Sequence, residues 1–89
     1  MKIKDGFKLR TLGTEYIVTA EGEKQINFNK IIFLNSSAAF LWKNIEGRDF
    51  TATDLADLLT GEYDVDRERA LEDSKTIAAK WIEAGIVEK

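Results

Sequence analysis

Residues 31–42 read IIFLNSSAAFLW, and their pattern changes from strand to helix at Asn35. The first four residues are all apolar, as in a strand whose two faces are both covered, by the protein itself or by a partner. Asn35 or Ser36 can cap a helix, and the apolar residues after them recur at helical spacing. This junction divides the chain into a strand-like part before it and a helical part after it.

A β-hairpin is predicted near the start of the chain. Residues 7–12 alternate apolar and polar side chains, which directs Phe7 and Leu9 inward. Residues 15–20 are rich in β-branched and aromatic side chains and form the return strand. Gly13 opens the two-residue connection between them, as a type II′ turn requires.

The sheet continues up to the junction. A polar loop at residues 21–24 leads to an alternating run at 25–28, and a turn at 29–30 precedes the apolar strand of residues 31–34. We therefore expect a small antiparallel sheet of three to four strands. On pattern alone, the apolar strand is most simply interpreted as an internal core strand.

Three amphipathic helices are expected after the junction. The first covers residues 36–46, the second begins with the capping-box pair Thr51 and Asp54, and the third, from about Asp66, is the longest. Each ends at a glycine, which enters the left-handed conformation without a Cβ clash. The three closing glycines are Gly47, Gly61 and Gly85. The sequence thus predicts an α+β fold, a small sheet followed by three helices, and the helices resemble the helical part of a winged helix-turn-helix.

Composition narrows the function. The 89 residues, 44% of them hydrophobic, suit a single domain over residues 1–89. The chain has no His, no Cys and no glycine-rich phosphate loop, so we expect no thiol or imidazole catalysis and no cofactor. Its start lacks the apolar segment of a signal peptide, and no apolar run reaches about 18 residues. We therefore expect a cytoplasmic protein that does not enter membranes.

Two groups of residues suggest chemistry or ligand binding, and each has a simpler structural explanation. Acidic residues cluster near the start of the third helix, where the helix dipole favours them, and they lack the spacing of a calcium-binding loop. Trp42 and Trp81 lie on the inner stripes of their helices, as core aromatics do. The acidic cluster comprises Asp64, Asp66, Glu68, Glu72 and Asp73. We predict neither a catalytic residue nor a metal site.

Charge disfavours nucleic-acid binding. The net charge of the chain is −3, and residues 66–84 hold four basic and five acidic side chains. A recognition helix needs an excess of Lys or Arg to meet phosphates and base edges. A helix-turn-helix regulator, acting on DNA or through a protein partner, is therefore the alternative rather than the preferred function.

The apolar strand of residues 31–34 offers a different kind of site. At the edge of the sheet, its free backbone groups would accept a partner strand, and a neighbouring helix would form the second wall of a groove. Alternation would send Ile31 and Phe33 to one face and Ile32 and Leu34 to the other, without indicating which pair joins the core. The same edge could also pair two copies of the chain into a homodimer.

Several segments, by their order and spacing, resemble the PqqD-like family over nearly the whole chain. They are GFKLR at 6–10, EYIV at 15–18, FN at 28–29, LNSSAAFLW at 34–42, EYDVD at 62–66 and WIEAGIV at 81–87. Members of this family are small non-catalytic domains, also called RiPP precursor peptide recognition elements. The resemblance implies an adaptor that binds the leader segment of a ribosomally made precursor peptide. Such an adaptor presents the peptide to a modifying enzyme, often a radical SAM enzyme.

The resemblance also implies a site. In this family the leader adds as a strand to the last strand of the sheet and lies against the third helix. Leu71 and Ala78 would then supply apolar contact, and Arg67 and Lys75 would meet acidic leader residues at the rim. Carried onto this sequence, the peptide-binding residues are Ile31, Ile32, Phe33, Leu34, Arg67, Leu71, Ser74, Lys75 and Ala78.

The two functions differ in their response to salt. A peptide-binding domain with an acidic third helix should not bind duplex DNA, because it cannot release the counterions condensed on the phosphates. We expect no binding at micromolar protein in a fluorescence-anisotropy titration at low salt. Submicromolar affinity that falls steeply as salt is added would favour the regulator instead.

Overall fold

The computed structural model of the protein describes residues 1–20 and 31–89. The strand expected at 25–28, the loop at 21–24 and the turn at 29–30 lie outside these residues. Strands and helices follow in the order β1 (Lys2–Ile3), β2 (Phe7–Leu12), β3 (Glu15–Ala20), β4 (Ile32–Leu34), α1 (Ser36–Ile45), α2 (Ala52–Glu62), α3 (Arg67–Glu83) and β5 (Val87–Glu88). The arrangement confirms the α+β fold, with the helices after the main sheet.

The main sheet is antiparallel, in the order β2-β3-β4. Leu12 pairs with Glu15, which leaves Gly13 and Thr14 as the two-residue turn. Gly13 has a φ of 64°, and Thr14 has no positive φ. A type II′ turn needs a positive φ at its first position alone, whereas a type I′ turn needs it at both. The predicted hairpin is confirmed, including its inward residues Phe7 and Leu9, which pack against the core.

A second, two-stranded sheet was not anticipated from the sequence. β1 and β5 pair antiparallel, with Ile3 opposite Val87. The Lys4 amide extends the pairing by donating to the Ile86 carbonyl at 3.0 Å, and the Phe50 amide donates to the Met1 carbonyl at 2.7 Å. Strands of two residues are too short to show a period in the sequence. This sheet joins the first and last segments of the described chain.

The caps of α1 and α2 agree with the sequence. Asn35, rather than Ser36, caps α1, since its side-chain oxygen accepts from the Ala38 amide at 2.8 Å. At the start of α2, the Thr51 hydroxyl accepts from the Asp54 amide at 3.1 Å, and the Asp54 carboxylate accepts from the Thr51 amide at 2.9 Å. Both halves of the predicted capping box are therefore present.

The prediction that Gly61 ends the second helix is wrong. Gly61 lies inside α2, which continues to Glu62, and its φ is not positive. Tyr63 caps the helix in an extended conformation, and its amide donates to the Leu59 carbonyl at 2.8 Å. This is an ordinary helical bond between residues i and i−4, and the chain leaves the helix at Tyr63 through an extended rather than a left-handed residue.

Gly85 ends α3 as predicted. Its φ is 81°, its amide donates to the Ile82 carbonyl at 3.0 Å, and the Ile86 amide donates to the Trp81 carbonyl at 3.1 Å. This pair of bonds defines a Schellman motif. The motif turns the chain back so that Ile86 is fully buried and β5 can reach β1.

One hydrophobic cluster joins the inner faces of the helices to the inner face of the sheet. At its centre, Trp42 of α1 meets Trp81 of α3 edge to face, with ring centroids 5.4 Å apart. Both rings are almost entirely buried. The two tryptophans are therefore core residues, as their positions in the sequence indicate.

Gly61 and Gly85 should respond in opposite ways to the same substitution. Gly61→Ala adds a methyl group inside a helix, and beyond the adjoining helix backbone no atom lies within 4 Å of the new Cβ, so it should raise the free energy of unfolding by roughly 0.5–1 kcal/mol. Gly85→Ala should lower it by about 1 kcal/mol, because a Cβ is strained at positive φ. Urea unfolding of both variants measures the difference. Equal changes in the free energy of unfolding would contradict the helical conformation of Gly61 and the left-handed conformation of Gly85.

Candidate functional site

Within residues 1–20 and 31–89, β4 has one face and one edge that no other strand or helix covers. It pairs with β3, and no strand of the described residues pairs with its other side. Leu34 is 8% exposed and Ile32 packs against the core, whereas Ile31 and Phe33 are 42% and 63% exposed. The prediction of an internal strand with both faces covered by the protein is wrong. In the described part of the chain the helices form a layer on one face of this sheet, so the outer face of β4 stays uncovered.

A cleft runs beside β4, between this strand, the start of α1 and the C-terminal half of α3. Its volume is about 210 Å³, below the roughly 300–1,000 Å³ of small-molecule pockets. The lining residues are Ile32, Phe33, Leu34, Asn35, Ala38, Ile77, Lys80, Trp81 and Ala84. A space of this size next to an open strand edge suits one or two side chains of an extended peptide.

Lys80 contributes the charge of this cleft. It is the one charged residue among the described residues that line the cleft, and its neighbours on α3, Ile77 and Ala84, are apolar. A lysine in such a place can lay its aliphatic stem along apolar surface and keep its ammonium group in water. The cleft is therefore suited to apolar side chains with an acidic group at the rim.

The helix wall implied by the family resemblance is not at this cleft. Arg67, Leu71 and Lys75 follow one another at four-residue spacing and so share one ridge of α3. Arg67 makes an ion pair with Asp57 of α2, which places this ridge on the α2 side of the helix. Ser74 and Ala78 are buried, at 0% and 4% exposure, so neither presents a surface to a ligand.

The residues that the structure brings together are thus β4 and the opposite flank of α3. Ile77 belongs to the apolar stripe of the third helix, and Lys80 is one of its basic residues. The stripe is wide enough to have two flanks, and the flank that faces the sheet depends on tertiary packing. In the sequence, the one indication of this wall was an apolar residue followed three positions later by a lysine, Ile77 and Lys80.

The other candidate centres offer little support for chemistry. Asp64, Asp66, Arg69 and Asp73 line a shallow surface depression, where Arg69 and Asp73 approach to 3.8 Å. Within residues 1–20 and 31–89, no three acidic side chains are grouped so that they could hold a metal ion. In the same ranges, no helix has the length and apolar character needed to cross a bilayer.

Comparison with known proteins identifies the family. The family model described as coenzyme PQQ synthesis protein D (PqqD) matches residues 13–87. The chain belongs to the PqqD family. No curated protein matches this member significantly. The family match includes β3, β4 and all three helices, and therefore the whole cleft.

A solved structure shares the fold of this PqqD family member. It is described as TbiB1 in complex with the TbiA(beta) leader peptide, and it aligns with a TM-score of 0.77 over 99% of this chain and 95% of that one. The two sequences are 18% identical, so the likeness shows the fold. The shared fold includes β1 and β2, which precede the residues that the family model matches.

The two exposed lysines of α3 should differ in their effect on a peptide bound at the cleft. Lys80→Glu should weaken binding about five-fold, because it reverses the charge at the rim, and most of the loss should lie in the association rate. Lys75→Glu, the matched control on the α2 side, should change the affinity by less than about two-fold. Surface plasmon resonance with an immobilised peptide measures both. A larger effect at Lys75 would instead favour the ridge of Arg67, Leu71 and Lys75 as the peptide-binding wall.

Proposed function

We propose that this protein is a non-catalytic adaptor for peptides. It binds the leader segment of a ribosomally made precursor peptide by strand addition at β4 and presents that peptide to a modifying enzyme of the radical SAM class or another maturation enzyme. The observation that carries the proposal is the open, apolar strand β4 beside a small apolar cleft, in a chain of the PqqD family.

Strand addition follows from the chemistry of β4. Successive residues of an antiparallel strand direct their backbone N–H and C=O groups alternately to the two sides, so part of these groups point away from β3. An extended peptide can pair with them, antiparallel to β4. Its alternate side chains then enter the cleft, where Ile77 and Ala84 of α3 form the opposite wall.

The solved relative supports the same occupant. TbiB1 is described in complex with a leader peptide, and its fold matches nearly all of this chain. We carry the class of ligand over to this protein as part of the proposal. Affinity then comes from main-chain hydrogen bonds, and selectivity from the few side chains at the cleft.

The proposed adaptor role also indicates the compartment in which the protein acts. A precursor made by the ribosome is available in the cytoplasm, and we place the recognition there. A second copy of this chain could pair with the same edge of β4, which would form a homodimer. Peptide and second copy would then compete for one strand, so a peptide ligand should shift such a dimer towards the monomer.

A shift map with a peptide tests the proposal. We would select a peptide from a displayed library of random decapeptides and titrate it into the ¹⁵N-labelled chain. The largest amide shifts should fall on residues 31–34 and 77–84. Methylating the peptide nitrogens one at a time should weaken binding about ten-fold at every second position, because alternate N–H groups face β4.

Two results would contradict strand addition. One is a set of shifts on β2 or α2 that spares β4. The other is a uniform response to methylation along the peptide, since a peptide bound through its side chains alone has no two-residue period in its amides.

A further inference from the structure

The outer face of β4, which is turned away from the helices, is apolar and exposed. Phe33 is 63% exposed and Ile31 is 42% exposed. Phe33 stands opposite Ile17 in the register of β3 and β4, so the two side chains share this face, yet Ile17 is only 6% exposed. Phe33 therefore has an apolar neighbour on the β3 side, and no described strand flanks it on the other side.

Among the residues that the structure describes, this edge lacks the usual protection of an edge strand. Edge strands of proteins commonly carry Lys, Pro or an inward-pointing charge, because an unprotected apolar edge can pair with other chains and aggregate. Residues 31–34 contain none of these. A side chain as large as Phe33, left in water at such an edge, gains burial only from something that binds there.

A strand added to β4 covers Phe33 by geometry alone. Residues directly opposite one another in paired strands have Cβ atoms about 4.5–5.5 Å apart, so one side chain of the added strand must lie beside Phe33 on the outer face. The residues before and after it point to the other face, into the cleft. The bound peptide can therefore cover the apolar side chains on both faces of β4, and no separate protein has to dock on the sheet.

We propose that Phe33 is a specificity-determining residue for the ligand. This inference rests on the proposed peptide-binding function and names the class of peptide. The bound segment carries two adjacent apolar residues, one in the cleft beside Ile77 and the next, aromatic or β-branched, against Phe33. An acidic residue stands beside Lys80. The selected peptide is thus apolar on both faces, unlike the alternating polar and apolar segment that a one-sided groove would select.

Leu12 provides a matched control for Phe33. Leu12 is 60% exposed, and the register of β2 and β3 places it on the same outer face, two strands from the open edge. Phe33→Thr and Leu12→Thr each remove an exposed apolar side chain and keep a residue that favours strands. Both variants should unfold at the same urea concentration as the wild type.

The test uses random decapeptides displayed on phage, selected on the wild-type chain. We expect enrichment of adjacent apolar pairs, an affinity that falls about ten-fold for Phe33→Thr, and a change of less than about two-fold for Leu12→Thr. Nuclear Overhauser effects should connect the Phe33 ring to the outward residue of the peptide. Replacing that residue with Ser should weaken binding to the wild-type chain by a similar factor, a measurement that needs no variant of the protein.

The outcomes separate this inference from the proposed function. If the peptide binds on β4 by amide shifts but Phe33→Thr or the Ser replacement costs less than two-fold, the role of Phe33 is overturned and the peptide-binding function stands. Equal losses for Phe33→Thr and Leu12→Thr also overturn it. If no selected peptide shifts the amides of β4, both proposals fail.

Discussion

The edge-to-face contact of Trp42 and Trp81 sets the distance between β4 and α3, and the cleft depends on that distance. Asn35 caps α1 directly after β4, so the strand leads into the first helix without a loop between them. Trp42 of that helix then meets Trp81, which also lines the cleft. The floor of the candidate site is therefore a core contact, and a change at either tryptophan would alter both stability and the width of the cleft.

The same packing leaves some polar atoms without partners. Trp42 Nε1 and Ser74 Oγ are buried and have no hydrogen-bond partner among the residues that the structure describes. An unsatisfied buried group costs roughly 1–3 kcal/mol, so apolar contact must outweigh it here. The Schellman motif after α3 adds burial next to Trp81, because it returns the fully buried Ile86 to the core. The C-terminal end of α3, which borders the cleft, is thus packed both against Trp42 and against the returning Ile86 segment.

The sequence predicted those features that have a local physical signal. Asn35, the capping box of α2 and the glycine after α3 follow from backbone chemistry within a few residues, and the hairpin follows from a period of two. Pairing of β1 with β5 has no such signal, since two residues carry no period. The prediction that Gly61 ends α2 was wrong because the sequence alone does not distinguish a glycine that ends a helix from one in its last turn.

The site itself was only half predictable, for a related reason. Four apolar residues in a row at 31–34 indicated a strand that needs cover on two faces, but the pattern alone favoured cover by the protein over cover by a partner. The flank of α3 that lies beside this strand was not predictable, since the apolar stripe of α3 has two flanks of similar character. Burial of Ala70, Ala78 and Trp81 in the core fixes the rotation of α3, and this tertiary packing, which no local pattern encodes, leaves the flank with Ile77 beside β4.

The proposed recognition through a strand edge would also explain how the fold can persist while sequences diverge. Main-chain groups are common to all residues, so pairing at β4 demands a geometry rather than particular side chains. Two features keep β4 accessible beside α3 and so maintain this geometry. They are the Asn35 cap of α1 and the contact between Trp42 and Trp81. Side chains on the two faces of the edge are then free to differ between relatives. Among the described residues of this chain they are an exposed Phe33 on one face and Lys80 at the rim of the other. Ligand choice can therefore change by substitution at these positions without a change in the scaffold.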